Sequence, residues 1–265
     1  MKTIHTYKIK MILAAMLLMI VSVASAQDFS YTVKGNATET VVWINQLFGD
    51  IRIEGISGSE IQIQASDYEG LPEKAKGLKP LSGGEPENTG IGLSVTQEGN
   101  TISIAGAHRE ADDAEYIISL PKNVMLKIDY NSWQADDVEV VGMENEIEAK
   151  SQVGDLTFVD VTGPIVAHTL SSDLEVVFSS VNQASPSSIT STSGDIDVTL
   201  PTGTKGTFRM GTVSGGIYTD LDFDLGGDAN KRRIMGQSAT GKLSGGGVEV
   251  SLKTISGDIY VRKSN

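Results

Sequence analysis

Through the C-terminal half of the chain, apolar residues recur at every second position in short runs, and a turn precedes each run. The clearest copies are Ser193-Gly194-Asp195-Ile196-Asp197-Val198 and Ser256-Gly257-Asp258-Ile259-Tyr260-Val261. Gly49-Asp50-Ile51-Arg52-Ile53 and Gly154-Asp155-Leu156-Thr157-Phe158 repeat the theme, with degenerate versions at Ser172-Asp173-Leu174-Glu175-Val176 and Gly215-Gly216-Ile217-Tyr218-Thr219. Alternation of period two predicts a strand with one buried and one wet face. Glycine supplies the positive φ that a tight turn asks for, and Asp can hydrogen-bond the turn backbone. Turn positions lie nine residues apart from Gly154 to Gly163 and from Gly163 to Ser172, then 22 to Gly194 and 21 to Gly215. Two strands and two turns therefore fill a unit of about 18 to 22 residues.

The same beat runs backward through Asp137-Val138-Glu139-Val140 and Asn145-Glu146-Ile147-Glu148, and returns near Gly49 and Gly58. It breaks over 66–99, rich in Gly, Pro, Glu and Lys, which reads as an inserted loop, and again over 226–241 around Lys231-Arg232-Arg233. The one helix-compatible stretch, Pro72 to Lys76, is short. A single unit buries too few side chains to offset its ordering entropy, so units must stack. The predicted fold is all-β: one single-stranded parallel β-helix, or β-solenoid, over 27–265 with an irregular insert.

The N-terminus changes the setting. Lys2, Lys8 and Lys10 precede the apolar run Met11 to Val23, and Ala24-Ser25-Ala26 offers a small-x-small cleavage site, so 1–26 reads as a secretory signal peptide. That run is too short for a membrane-spanning helix, and no later segment comes closer. Cysteine is absent, which excludes disulfides, thiol catalysis, Cys-ligated zinc and an acylated-cysteine anchor. The expected product is secreted, to periplasm, cell surface or medium, without membrane insertion. Without residues 1–26 the chain keeps 18 basic against 34 acidic residues, a net charge of −16, which disfavours nucleic acid and anionic lipid as partners.

Tyr116-Ile117-Ile118-Ser119-Leu120-Pro121-Lys122-Asn123-Val124, the Ser-Gly-Asp-Ile turns at 193 and 256, and Gly245-Gly246-Gly247-Val248 together resemble a bacterial adhesin-like family once classed as a domain of unknown function, frequent in secreted proteins of gut Bacteroidetes. Gly77-Leu78-Lys79-Pro80 and Asn88-Thr89-Gly90-Ile91-Gly92-Leu93 are similar to it as well, so the resemblance covers nearly all of 27–265. It implies a right-handed parallel β-helix without established enzyme activity. Right-handed winding also follows from the general crossover rule.

Candidate chemistry is sparse. Asp220-Leu221-Asp222-Phe223-Asp224 invites a calcium reading, but an EF-hand would need Gly where Leu225 stands and Glu where Lys231 stands. The favoured reading is the wet face of a strand that buries Leu221, Phe223 and Leu225. Asp50, Asp155, Asp173, Asp195 and Asp258 recur in turns and could pair as in a glycosidase or lyase, though turn-forming Asp accounts for each copy. His108 and His168 lack metal-binding spacing, and His168 is expected to point outward beside Ala167. No GxSxG or GxxxxGK[ST] occurs. Asn36-Ala37-Thr38 has N-glycosylation spacing, of little weight in bacterial export. Lys231-Arg232-Arg233 reads as a solvated loop.

Tyr130 and Trp133 flank Asn131-Ser132 in an expected turn. Such rings can stack on sugar faces or anchor a protein, or simply cover the end of the coil. These two are the candidate binding residues; no catalytic or metal-binding residue and no cofactor is expected. The function that follows is a non-catalytic, adhesin-like surface or scaffold binding a glycan or an extracellular or cell-surface protein. The alternatives are a pectinase-like carbohydrate-active β-helix enzyme and an assembly module that packs end to end through uncapped coil ends.

Overall fold

A computed structural model describes residues 27–47, 49–75, 78, 86–107, 111, 114–226 and 236–264. Residues 1–26, read above as a secretory signal peptide, and His108 and Lys231-Arg232-Arg233 lie outside the described residues. The strands are β1 (Gln27–Thr32), β2 (Val41–Asn45), β3 (Ile51–Ile56), β4 (Glu60–Ser66), β5 (Leu93–Glu98), β6 (Thr101–Gly106), β7 (Glu115–Pro121), β8 (Met125–Tyr130), β9 (Val138–Val141) and β10 (Ile147–Ser151). They continue as β11 (Leu156–Val161), β12 (Ile165–Thr169), β13 (Leu174–Phe178), β14 (Ser187–Ser191), β15 (Ile196–Leu200), β16 (Gly206–Ser214), β17 (Ile217–Thr219), β18 (Gln237–Leu243), β19 (Glu249–Ser256) and β20 (Ile259–Lys263).

The chain is all-β, in two large and mostly parallel sheets. The front sheet runs β1-β4-β7-β3-β9-β11-β13-β15-β20-β17 and the back sheet β5-β6-β2-β8-β10-β12-β14-β19-β16-β18. One back strand followed by one front strand makes a rung. From β8 to β15 the rungs stack in chain order: β8–β9, β10–β11, β12–β13, β14–β15. The pairing there is parallel, with Leu126, Ile147 and Ile165 in register on the back sheet and Val138, Leu156, Leu174 and Ile196 on the front. These residues point between the sheets and are buried, so the alternation read from sequence is the core face of both sheets.

The ends depart from a simple parallel coil. Rung β6–β7 lies outside β2–β3, and the antiparallel strands β4, β1 and β5 extend it. Tyr31 on β1 donates to Gln97 Oε1 on β5 at 2.8 Å, which ties the two sheets across that end. At the other end β18 runs antiparallel to β16. Phe223 packs edge-on against buried Phe208 at 5.3 Å, and Leu221 also packs on the core. Rung β19–β20 lies between β14–β15 and β16–β17, although it comes last in the chain.

Several expectations need adjustment. The stretch 66–99 is not loop throughout, because alternation returns in β5; likewise 226–241 runs into β18. Of the helix-compatible stretch, Glu73–Ala75 forms a 3₁₀ turn, and Lys76 lies outside the described residues. The acidic run 220–224 is no regular strand: it makes a single bridge, Asp224 to Lys242, and Leu225 is exposed while Leu221 and Phe223 are half-buried. The aspartates do stay wet, and two are acceptors, Asp220 for the Lys263 N–H and Asp224 for the Gly226 N–H.

Candidate functional site: the corner between the sheets

Back strands turn into front strands at corners, and after β10, β12, β14, β16 and β19 the corner repeats five residues. They read Ser151-Gln152-Val153-Gly154-Asp155, Thr169-Leu170-Ser171-Ser172-Asp173, Ser191-Thr192-Ser193-Gly194-Asp195 and Thr254-Ile255-Ser256-Gly257-Asp258. Thr212-Val213-Ser214-Gly215-Gly216 lacks only the Asp. Each element of the repeat has a physical role.

The opening hydroxyl is buried and donates to a carbonyl that would otherwise be orphaned inside the corner. Ser151 Oγ donates to Gly154 O at 2.7 Å, Thr169 Oγ1 to Ser172 O at 2.8 Å, Thr254 Oγ1 to Gly194 O at 3.0 Å and Thr212 Oγ1 to Gly257 O at 2.9 Å. The glycine is there for close approach. A Cβ on Gly154 would lie 1.7 Å from Asp136 O, on Gly194 2.0 Å from Ser172 O, and on Gly257 2.2 Å from Gly194 O. Positive φ is therefore not what Gly154 and Gly194 provide; the preceding rung's backbone occupies the space.

The aspartate acts between rungs and not within its own turn. The Asp137 N–H donates to Asp50 Oδ1 (3.1 Å), Asp155 N–H to Asp137 Oδ1 (2.8 Å), Asp173 N–H to Asp155 Oδ1 (2.9 Å) and Asp195 N–H to Asp173 Oδ1 (2.8 Å). The ladder continues from Asp258 N–H to Asp195 Oδ1 (2.7 Å) and closes with Gly216 N–H on Asp258 Oδ1 (2.7 Å). Each carboxylate answers a backbone donor that the corner leaves unpaired in its own rung. Beside the first steps of the ladder, a shallow depression of about 620 Å³ is lined by Asp50, Arg52, Glu115, Ile117, Asp137 and Glu139 among others. Its cation is already engaged, since Arg52 pairs with both Glu54 and Glu139 and these bonds raise its pKa.

The two positions after the hydroxyl face solvent. In rung order the corners place Trp133 (three residues after Tyr130), Val153 (second after its hydroxyl), and Leu170, Thr192, Ile255 and Val213 (each first after its hydroxyl) along one edge, and all of these except Thr192 are large exposed apolar side chains. At about 4.8 Å per rung the ridge runs on the order of 24 Å. Trp133 is 76% exposed, in the one long corner of this series, 131–137. Sequence analysis singled out Trp133 and missed the other four, although the place of Leu170, Ile255 and Val213 directly after the corner hydroxyl was available as a signal.

Tyr130 sits apart from Trp133. Its ring is 0% exposed, and its hydroxyl donates to Gly49 O at 2.9 Å, the same inward bond that Ser or Thr makes at the other corners. The structure thus assigns Tyr130 to the core and leaves Trp133 at the surface. Alternation explains this: Tyr130 is in register with Ser151 and Thr169, both inward. His168 is exposed on β12, 3.0 Å from Thr190 Oγ1. Trp43 lies half-buried on the back sheet with Lys127 Nζ 5.3 Å over its ring. Tyr218 and Tyr260, also missed from sequence, stack at 5.4 Å on the front sheet beneath Arg262.

The two-sheet stack of rungs with a repeating Asp corner defines a β-solenoid. Residues 134–262 match the family model described as Toastrack DUF4097. Strands β1 to β8 precede the matched residues. No curated protein matches the chain. Among solved structures, a "putative cell adhesion protein" from Clostridium sporogenes aligns over 91% of this chain and 100% of its own, with a TM-score of 0.45 and 14% identity. A "putative adhesin" from Bacteroides fragilis aligns over 91% and 97%, at 0.42 and 12%. Scores at this level carry no argument beyond the strands already described.

Proposed function

We propose that this protein is a non-catalytic, adhesin-like surface module that binds an extracellular or cell-surface protein or glycan through its apolar corner. The observation that carries the reading is the ridge itself. Exposed apolar side chains scattered singly are ordinary, but here five gather along one edge, with a tryptophan at the end. The names of the two solved structures above agree with this reading without bearing its weight.

Export follows from residues 1–26, and right-handed winding from the crossover rule. The ladder carboxylates each have one oxygen committed to a backbone N–H, a structural duty that argues against a glycosidase pair. Both coil ends carry antiparallel strands and packed side chains, which weakens the reading as a module assembling through bare ends.

The test is a binding screen of the chain from Gln27 onward against extracellular-matrix proteins and host and bacterial glycans, with turnover of each glycan followed in parallel. Saturable binding without turnover is expected. Trp133→Ala should weaken it at least about tenfold, as for an anchoring aromatic, and leave the melting temperature unchanged. Turnover of any glycan, or binding indifferent to Trp133→Ala, Leu170→Ser and Ile255→Ser together, overturns the proposal.

A further inference from the structure

The rung β19–β20 comes last in the chain and yet is hydrogen-bonded on both sides. β19 pairs with β14 through Ser187–Ser191 and with β16 through Thr207–Ser214; β20 pairs with β15 and with β17. Among the described residues, the strands β16, β17 and β18 pair only with one another and with this rung, apart from the bridge between Lys242 and Asp224. The rung is therefore a wedge. Without it, the edges of β14 and β15 face those of β16 and β17 across an empty slot, and the core that Val250, Leu252, Ile259 and Val261 fill lies open.

We propose that this slot also accepts the β19–β20 rung of a second copy of this chain, giving a dimer by exchange. The slot is selective for that sequence. It offers Asp195 Oδ1 to an incoming Asp N–H, and its Gly216 N–H seeks a carboxylate in return. It offers Gly194 O to a hydroxyl and, against the same carbonyl, tolerates only a residue without Cβ. On its faces Arg209 takes Glu249 at 2.6 Å, Asp197 takes Arg262 at 2.8 Å and Tyr218 takes Tyr260.

The connection from β18 to β19 suits exchange. It must cross over the start of β16, and it does so with Ser244, Gly245 and Gly246 at φ of 51°, 87° and 90°. Extending these three residues carries the rung away from its own slot and toward a neighbour's. Contacts within one chain and between two would be the same, so concentration and linker strain decide the balance.

The chain has no cysteine, so engineered pairs report without background. Ser188 and Ser251 are register partners on β14 and β19, close enough for a disulfide. Chains carrying S188C alone and chains carrying S251C alone are mixed, refolded together at high concentration and oxidised. The expected product is a 188-to-251 heterodisulfide joining two chains, identified by peptide mapping, with a yield that rises with protein concentration. Deleting Gly245 and Gly246 should raise the yield several-fold. The control mixes V166C with S188C chains, register partners inside the sequential coil, and should give no such product. The proposal is overturned if the doubly substituted S188C/S251C chain closes internally while the mixture gives no heterodisulfide, or if the control pair crosslinks equally well.

Discussion

The middle of the coil and its two ends are built on different rules. From β8 to β15 every rung lies beside the one that follows it in the chain, and from β10 onward a five-residue corner repeats the same hydroxyl and aspartate bonds, with glycine at its fourth position in all but one copy. At the ends, strands adjacent in sequence are parted by one that arrives later: β7 between β3 and β4, and the rung β19–β20 between β14–β15 and β16–β17. A stack of identical rungs has no internal reason to stop, and an exposed strand edge recruits further strands. Antiparallel strands and side chains packed across the open core stop it here, at the expense of longer-range pairings. The middle owes its stability to close repeated fit, and the ends to closure.

The largest expected effect lies in the middle. Gly194→Val sets a side chain against Ser172 O and should cost about 3–5 kcal/mol. Gly203→Val, at φ 82° with open space around it in the approach to the C-terminal end, should cost about 1–2 kcal/mol from backbone strain alone. Equal losses in denaturant titrations would refute close approach as the reason for the corner glycines. Next is Phe223→Ala, expected to cost about 2 kcal/mol by uncovering Phe208. By hydrogen exchange it should loosen β16 to β20 together and spare β10 to β13; loosening spread evenly over the coil would mean that middle and end form one cooperative unit.

A smaller effect is expected from the ladder. Asp173→Ala leaves the Asp195 N–H unanswered and should cost about 1–2 kcal/mol, while Asp173→Asn keeps Oδ1 and should cost under about 0.5 kcal/mol. Thermal melts that rank the two variants in reverse would assign the carboxylate's charge, and not its acceptor oxygen, to the ladder.

The smallest effect is at the long corner. Asp136 holds its proton to higher pH than its ordinary 3.8, first through desolvation and then through repulsion from Asp50 and Asp137. Its folded pKa is raised, so its contribution is fully present below the unfolded value and is lost as pH rises through the folded one. Asp136→Asn should remove that fall, making the variant the more stable chain at neutral pH by comparison with strongly acid pH. Parallel pH profiles of the two chains would contradict this.

Much of the middle was legible because it is local. Alternation assigned Leu156, Phe158, Leu174, Val176, Ile196 and Val198 to the core, and turn spacing gave the unit length. The duty of the corner residues was not legible. Gly194 and Asp195 look like ordinary turn residues until the preceding rung is laid against them, and Tyr130 looks like a surface ring until its register with Ser151 shows it facing inward. At the ends, β5 was hidden in 66–99 by the irregular residues before it, and nothing in the local pattern of β19 and β20 says that they will slot between earlier strands.

By itself the sequence determined the strand content, the two-strand unit, the need to stack and the wet and dry faces. Each of these depends on side-chain alternation and turn chemistry within about 20 residues. The tertiary structure alone decided the order of the rungs at both ends, the aspartate ladder and the gathering of Trp133, Val153, Leu170, Ile255 and Val213 into one ridge. Those features join residues from different rungs, and they exist only where stacking brings distant copies of one corner into register.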